Sequence, residues 1–533
     1  MTLLNILLTI FFSIFSTAIL SYISMAVMIG PWIHSVIVIL CSLIFALLGS
    51  KIAQTNRIQS IALITAGSSI GGILATGCGF AFPTLYFLNP TLFNAWLATP
   101  YYFVAIMAGL TFSAGALGLF IANIFEHKLL NVDKLPFAVG EVSYKLASIQ
   151  ENLFQAYQLI AGSIASAAYS IGLILTHAAQ RFTLFTEFSF KGIQIPTINI
   201  PLNEFPLLLS IGFIAGTMLI VPLSIGIVSK ILLMTPAHTH FFSYLSYNDF
   251  SFAFISGMVV HGAFMSMLEL PKFFKGVFKR LTASSSNEST PSSSTYTKYL
   301  TWQTAATFCV IIAFLTWFKF SFMLQLYLIP FTMLCSYQLL VIGGELSLAP
   351  VARFATFVMM PALFIFNPDY IQLTLISTFV EVCGGVAVDI LFGRKLGQLS
   401  SVSTKQIKQF QWLGLTVSAL SVGVIFWLLI TKLGLGSASL IAQRSQTRAL
   451  TIQFQNFDFY AMIFGALFGA ILKDFKVSPI MVLGGILMPL EWALLLVIGG
   501  TAASLCKKPE EYHPFWSGVF AVNSIVTILR AIF

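Results

Sequence analysis

Long uncharged apolar runs, separated by short polar breaks, repeat along the whole chain. They fall at about 3–29, 31–50, 61–88, 99–124, 150–176, 205–234, 249–270, 300–318, 321–343, 346–366, 370–393, 409–433, 456–472, 478–506 and 514–532. A helix needs about 20 apolar residues to cross the hydrocarbon core, and most of these runs are of that order. None alternates apolar and polar positions with the period of two that a membrane barrel requires. The pattern predicts an all-α polytopic membrane protein of about 14–16 membrane segments, some of them broken or re-entrant. Residues 1–29 have no basic stretch before the apolar run and are followed by many more spans, so they read as a first membrane helix and not a cleaved signal peptide.

The run 61–88 is long enough to span but is unusual inside. Gly67, Gly71, Gly72, Gly77 and Gly79 are interleaved with Thr65, Ser68, Ser69 and Thr76, and Pro83 follows. Each glycine weakens a helix interior by about 1 kcal/mol relative to alanine, and proline removes a backbone donor. In lipid such a stretch is tolerated when it is buried in protein or lines a wet cavity, and transporters build substrate sites from discontinuous helices of this kind. A close-packing surface explains any one of these glycines as well; it explains the whole cluster with Pro83 less well. The expectation is an interrupted helix at 61–88 that forms the site together with 339–366. Run 205–234 carries Gly212, Gly216, Pro222 and Gly226 and is read as a re-entrant hairpin, with 61–88 as the alternative segment for that part.

Basic residues orient the bundle. Lys51 and Arg57, then Lys272, Lys275, Lys279 and Arg280, then Arg394, Lys395, Lys405 and Lys408 are read as cytoplasmic loops. Four runs separate the last two loops, which agrees with one side. Five separate Arg57 from Lys272, so one run must enter and leave on the same face. The serine-rich stretch 282–298, TASSSNESTPSSSTYTK, cannot bury a core and reads as a flexible cytoplasmic linker. It divides the chain into two membrane halves, 1–281 and 299–533, each with a glycine pair leading into a proline-interrupted apolar stretch. Inverted or parallel repeats are common in transporters, and the two halves are read as related.

The chain is 58% hydrophobic and 8% charged, where soluble domains carry about 25% charged residues. Its net charge of +9 follows from the positive-inside bias and does not imply nucleic acid. The six cysteines are scattered without a C-x-x-C pair, so they read as core residues and not as a disulfide framework or a metal site. No H-E-x-x-H, G-x-S-x-G or Walker loop occurs. The chain is read as no enzyme, and no cofactor is implied.

The few acidic groups inside apolar runs carry the remaining signal, because an ionisable side chain at that depth is expensive and usually functional. Glu345 follows the pair Gly343-Gly344 and precedes Pro350, with Arg353 beyond. It is the first candidate for proton coupling; a pairing of Glu345 and Arg353 in water at a membrane boundary stays open beside it. Glu381 and Asp389 lie eight residues apart, about 80° around a helix axis. For Asp389 a structural ion pair with Arg394 or Lys395 is the favoured role, whereas Glu381 is deeper. Glu491 follows Gly484, Gly485 and Pro489, again beside a break. His261 and Glu269 share the eight-residue spacing, and a membrane histidine of this kind is more often a packing residue than a switch. His238 and His240 sit in a polar loop and make no metal site.

Several stretches together resemble the oligopeptide transporter family, including its yellow-stripe-like branch of metal-chelate carriers. TNRIQSIALITAGSSIGGILATGCGFAFPTLYF resembles the family's Asn-Gln loop and the small-residue segment after it. Leu135-Pro136-Phe137-Ala138-Val139-Gly140-Glu141 resembles its L-P-F-P-x-G-T-A loop without the second proline and the threonine. VDILFGRKLGQLSSVSTKQIKQ keeps Asp389, Lys395, Gly397, Lys405 and Gln406 of a later motif. SPIMVLGGILMPLEWALLLVIGG is similar to the G-x-Y-L-P segment, with Met488 in place of the usual tyrosine or leucine, and PFWSGVFAVNSI resembles the last helix without its Gly-Glu pair. The matches run from Asn56 to Asn523.

The resemblance implies proton-driven symport of small oligopeptides or peptide-like metal chelates by alternating access, in a plasma or inner membrane. The partners expected are that substrate, protons and the lipid bilayer, with no nucleic acid; a homo-oligomer is left open. Candidate substrate or proton-coupling residues are then Glu345, Arg353, Glu381, Asn56, Gln59, Ser68, Ser69, Thr76 and Glu491. A membrane-embedded lipid-substrate enzyme or flippase would be expected to cluster charge in one external loop, and no such loop is seen. A channel would not depend on protons stoichiometrically.

Overall fold

The computed structural model describes the chain except residues 1–2, 27–32, 48–53, 149–152, 176–180, 186–187, 191–192, 196, 263, 266–267, 269–301, 347–348, 438, 455–456 and 533. The linker 282–298, the basic cluster Lys272–Arg280 and Glu269 therefore lie outside the described residues. Two compact units emerge, and the chain visits them alternately: one takes 1–24, 29–149 and 263–431, the other 25–28, 150–262 and 432–533. Each unit thus draws on both sides of the serine-rich stretch.

Helices α1 (Leu3–Ala26), α2 (His34–Leu47), α3 (Gln54–Ala81), α4 (Thr84–Leu88), α5 (Pro90–Leu97), α6 (Pro100–Glu126) and α7 (Ala138–Ser148) come first. The other unit follows, with α8 (Leu153–Leu175), strands β1 (Arg181–Phe185), β2 (Phe188–Phe190), β3 (Ile193–Ile195) and β4 (Ile198–Pro201), then α9 (Phe205–Ala215), α10 (Thr217–Ser229), α11 (Thr235–Phe241) and α12 (247–262). The first unit is completed by α13 (Trp302–Trp317), α14 (Phe322–Leu346), α15 (Val351–Phe366), α16 (Tyr370–Leu399) and α17 (Thr404–Leu433). The second is completed by α18 (Gln443–Ile452), α19 (Phe459–Asp474), α20 (Pro479–Leu487), α21 (Leu490–Leu505) and α22 (Pro509–Ile532).

The protein is an all-α polytopic membrane protein. Among the described residues seven helices are long and apolar enough to cross a bilayer: Leu3–Ala26, Arg57–Leu88, Pro100–Val132, Ile220–Phe241, Phe322–Glu345, Tyr370–Leu399 and Thr404–Leu433. Five shorter apolar helices accompany them. A feature absent from the sequence reading is a pair of nested antiparallel hairpins, β1 with β4 and β2 with β3.

In the first unit α16 is the central post. It begins with a capping box, Asp369 and Gln372 each bonding the other's backbone N–H, and it packs against α3, α6, α7, α14 and α15. Residues 373–394 are buried without exception. Such all-round burial fits its composition, which is apolar or small apart from Glu381, Asp389 and Arg394.

The glycines of 61–88 correct the sequence reading. The helix α3 runs unbroken through all five and stops only at Phe82-Pro83. A β-carbon at Gly67 would stand 2.6 Å from the Phe410 carbonyl oxygen, and one at Gly71 would stand 2.5 Å from that of Ser13. Gly77 meets Val382 and Gly79 meets Ser24 in the same way. Close helix approach, and not a break, explains the cluster. Runs 61–88 and 339–366 both reach α16, where Gly385 faces Ile73 of α3 and Val351 of α15.

Breaks do occur elsewhere. Helix α14 ends at Leu346 and α15 restarts after Pro350. Run 205–234 is divided at Gly216, whose φ of 58° and ψ of −141° belong to glycine alone. Its first piece, α9, has 11 residues, about 16 Å at 1.5 Å each, too short to span. Run 478–506 is divided at Met488-Pro489. In the second unit these two broken runs pack through glycines, Gly212 on Leu496 and Gly485 on Leu223.

Candidate functional site

A buried polar cluster in the first unit joins three helices that lie far apart along the chain. Asp389, 1% exposed, projects from α16. Its Oδ2 accepts a hydrogen bond from Ser69 Oγ of α3 at 2.8 Å, and its Oδ1 lies 3.6 Å from Nε2 of His34 at the start of α2. Both partners are essentially inaccessible. The His34 ring is held edge-on to Phe392, centroids 5.8 Å apart at 90°.

The Ser–Asp–His inventory is not that of a hydrolase. A nucleophilic serine gives its proton to the imidazole, with the carboxylate behind the ring. Here the single Ser69 hydroxyl proton is committed to Asp389, so it orients the carboxylate. What the pair can do is hold a proton: at 3.6 Å the ring and carboxyl are too far apart for a hydrogen bond, and a few tenths of an ångström of approach would make one. In apolar surroundings an uncompensated charge costs several kcal/mol. The pair is therefore sensitive to each proton gained or lost.

Asp389 does not pair with Arg394 or Lys395, as the sequence reading favoured. Five and six residues along a helix turn a side chain about 140° and 120° away from it. Arg394, 2% exposed, instead donates from Nε to Gln411 at 3.1 Å, from Nη1 to Glu126 at 2.9 Å and from Nη2 to Asn123 at 2.6 Å. Lys408 adds a second cation 3.2 Å from Glu126, and Lys395 pairs with Glu141 of α7 at 3.5 Å. Nor do Arg394 and Lys395 lie in a loop: they occupy the last turns of α16, and the connection to α17 is only 400–403. Beside this cluster is a small cleft lined by Glu126, Arg394, Gln398 and Thr404.

Glu381, 0% exposed, lies eight residues before Asp389 on α16, about 12 Å along the axis. Glu345 is exposed at the C-terminal end of α14. Arg353 is exposed on α15, its guanidinium 5.6 Å from the Phe357 ring centre. Of the residues on α3, Asn56 lies in the first turn and Gln59 Nε2 donates to Ser401 O at 3.4 Å. Ser68 and Thr76 bond back to carbonyls of their own helix, Ile64 and Gly72. Glu491 sits in the first turn of α21, right after the Pro489 break and within Coulombic range of Lys230. Of the candidates, Ser69 joins the cluster around Asp389.

His238 Nε2 bonds Leu245 O at 2.9 Å and packs on Tyr247 and Phe250, a turn-closing role. His261 lies beside Gly469. The residue that sequence reasoning missed is His34. Its signal was available: one ionisable side chain heading a helix, 34–47, with no other charge.

No family model matches the chain, and no curated protein matches it.

Proposed function

We propose that the chain is a secondary active transporter, a proton-coupled symporter of small oligopeptides or peptide-like metal chelates, the substrates that its resemblance to the oligopeptide transporters implies. The observation that carries the reading is the His34–Asp389–Ser69 cluster on a membrane-length helix that is buried on all sides. A buried carboxyl 3.6 Å from an imidazole, one short approach from a hydrogen bond, is suited to taking up and releasing a proton. Asp389 takes the coupling role in place of Glu345 because Asp389 is buried among three helices, whereas Glu345 is exposed at the end of α14. Glu381 supplies a second buried carboxyl on the same helix. Arg394 and its partners close the end of α16 that the lysines mark as cytoplasmic.

The test is uptake into proteoliposomes under an imposed pH gradient, with a mixed panel of di- to tetrapeptides and metal chelates. The parent accumulates at least one of them. Asp389→Asn retains exchange of labelled for unlabelled substrate but loses accumulation, while Glu345→Gln behaves as the parent does. An Asp389→Asn protein that still concentrates substrate overturns the reading. A parent whose uptake ignores the pH gradient does so as well.

A further inference from the structure

Helix α7 packs against α2, α3 and α16, the three helices that supply His34, Ser69 and Asp389. The segment leading into it is irregular. A π-helical turn, His127–Val132, is followed by two non-glycine residues in the left-handed region, Lys134 at φ 49° and Phe137 at φ 44°. Residues are held in such conformations only where their surroundings over-determine them, and π-turns recur at functional sites.

The surroundings of Phe137 are well defined. Its ring is fully buried and meets Phe392 edge-to-face, centroids 5.9 Å apart at 77°. Phe392 also meets the His34 ring edge-on. Meanwhile the Phe137 N–H donates to the Gly344 carbonyl at 2.9 Å, one of the last carbonyls of α14 before the chain breaks. A β-carbon at Gly344 would come within 2.7 Å of Leu135 Cδ1 and 2.9 Å of Phe137 Cζ, so a side chain at 344 would push the tips of Leu135 and Phe137, which wedge against α14, from their seat. One turn on, Gly140 rests on the Phe392 carbonyl, at 2.6 Å for a β-carbon.

We propose that Phe137 is a positioning residue for the buried pair: seated on the α14 break, it holds His34 beside Asp389 through Phe392 and keeps water from both. The proposal rests on the reading of that pair as the proton carrier, and it adds the part that controls access to it. When the wedge is seated, His34 is shut off. When α7 lifts, Phe392 loses its backing and the imidazole can turn and meet water. The break between α14 and α15 is thereby tied to the pair through one residue, by its backbone on one side and its ring on the other.

The experiment is carbethoxylation by diethyl pyrocarbonate of the full-length protein in liposomes, followed by peptide mass spectrometry at each histidine. In the parent, His34 reacts far more slowly than exposed His240. Phe137→Ala raises the His34 rate about two- to tenfold, the factor that one lost aromatic edge contact corresponds to. Gly344→Ala, which dislodges the ring without altering it, gives the same rise. Phe137→Tyr, which keeps the ring edge, labels at the parent rate. An unchanged His34 rate in Phe137→Ala or in Gly344→Ala overturns the proposal. An equal rise at half-buried His261 in the other unit also does, since that is general loosening. If Phe137→Ala fails to fold, Gly344→Ala decides alone. The labelling does not use transport, so the two readings fail separately: normal accumulation by Asp389→Asn with the expected labelling leaves the positioning role standing and removes the proton reading.

Discussion

At the scale of single residues, missing side chains shape this protein as much as present ones. A β-carbon on Gly414 of α17 would run into the Gly67 carbonyl of α3, and one on Gly67 would meet the Phe410 carbonyl. The two backbones touch at that point, and no rotamer change can make room. Gly414→Ala is therefore expected to destabilise the first unit by about 1–3 kcal/mol, the usual cost of overpacking, read as a lower melting temperature of the purified protein. An unchanged melt would show that the contact relaxes. The same residues explain what the sequence reading got wrong. Small residues in a row are equally compatible with a broken helix and with a tightly packed one, and only the partner's backbone, far away in the chain, decides. His34 was passed over for a related reason: its meaning comes from Asp389, on another helix, with nothing near it in sequence to announce the pairing.

At the scale of elements, local signals were far more reliable. Pro83, Pro350, Gly216 and Pro489 each stand at an observed helix break, because backbone chemistry that disfavours a continued helix acts within a few residues. Pro222 and Pro361, read as interruptions of their runs, lie instead inside continuous helices. Membrane-length runs became helices for the same local reason. The charge cluster at the end of α16 was only half legible. The pattern marks the positions but reads them as a loop, since basic residues usually end a span. Arg394 is instead inside, with its planar fork shared among Gln411, Glu126 and Asn123. Arg394→Lys cannot reproduce three divergent donations and leaves part of a buried network without its partner. It is expected to cost about 3 kcal/mol, measured by thermal unfolding, with Lys405→Arg, at an exposed position in the first turn of α17, as a neutral control. A lysine variant as stable as the parent would mean that the network is not worth its geometry.

At the scale of the whole molecule, each compact unit contains chain from before and after the serine-rich stretch. Expressed alone, 1–290 and 291–533 are each expected to fail to give a monodisperse protein. Expressed together they should reassemble, since nothing in 282–298 is apolar enough to pack. A stable, unassisted 1–290 fragment would contradict that interleaving. Ser69 and Asp389 are 320 positions apart, and at about 5–20 residues per second of synthesis roughly a quarter of a minute to a minute separates their appearance. Throughout that interval α3, whose membrane stretch is 94% buried in the finished protein, has no α16 to lie against. The nascent chain must hold a glycine- and serine-lined helix in lipid or in the insertion machinery until its partner emerges.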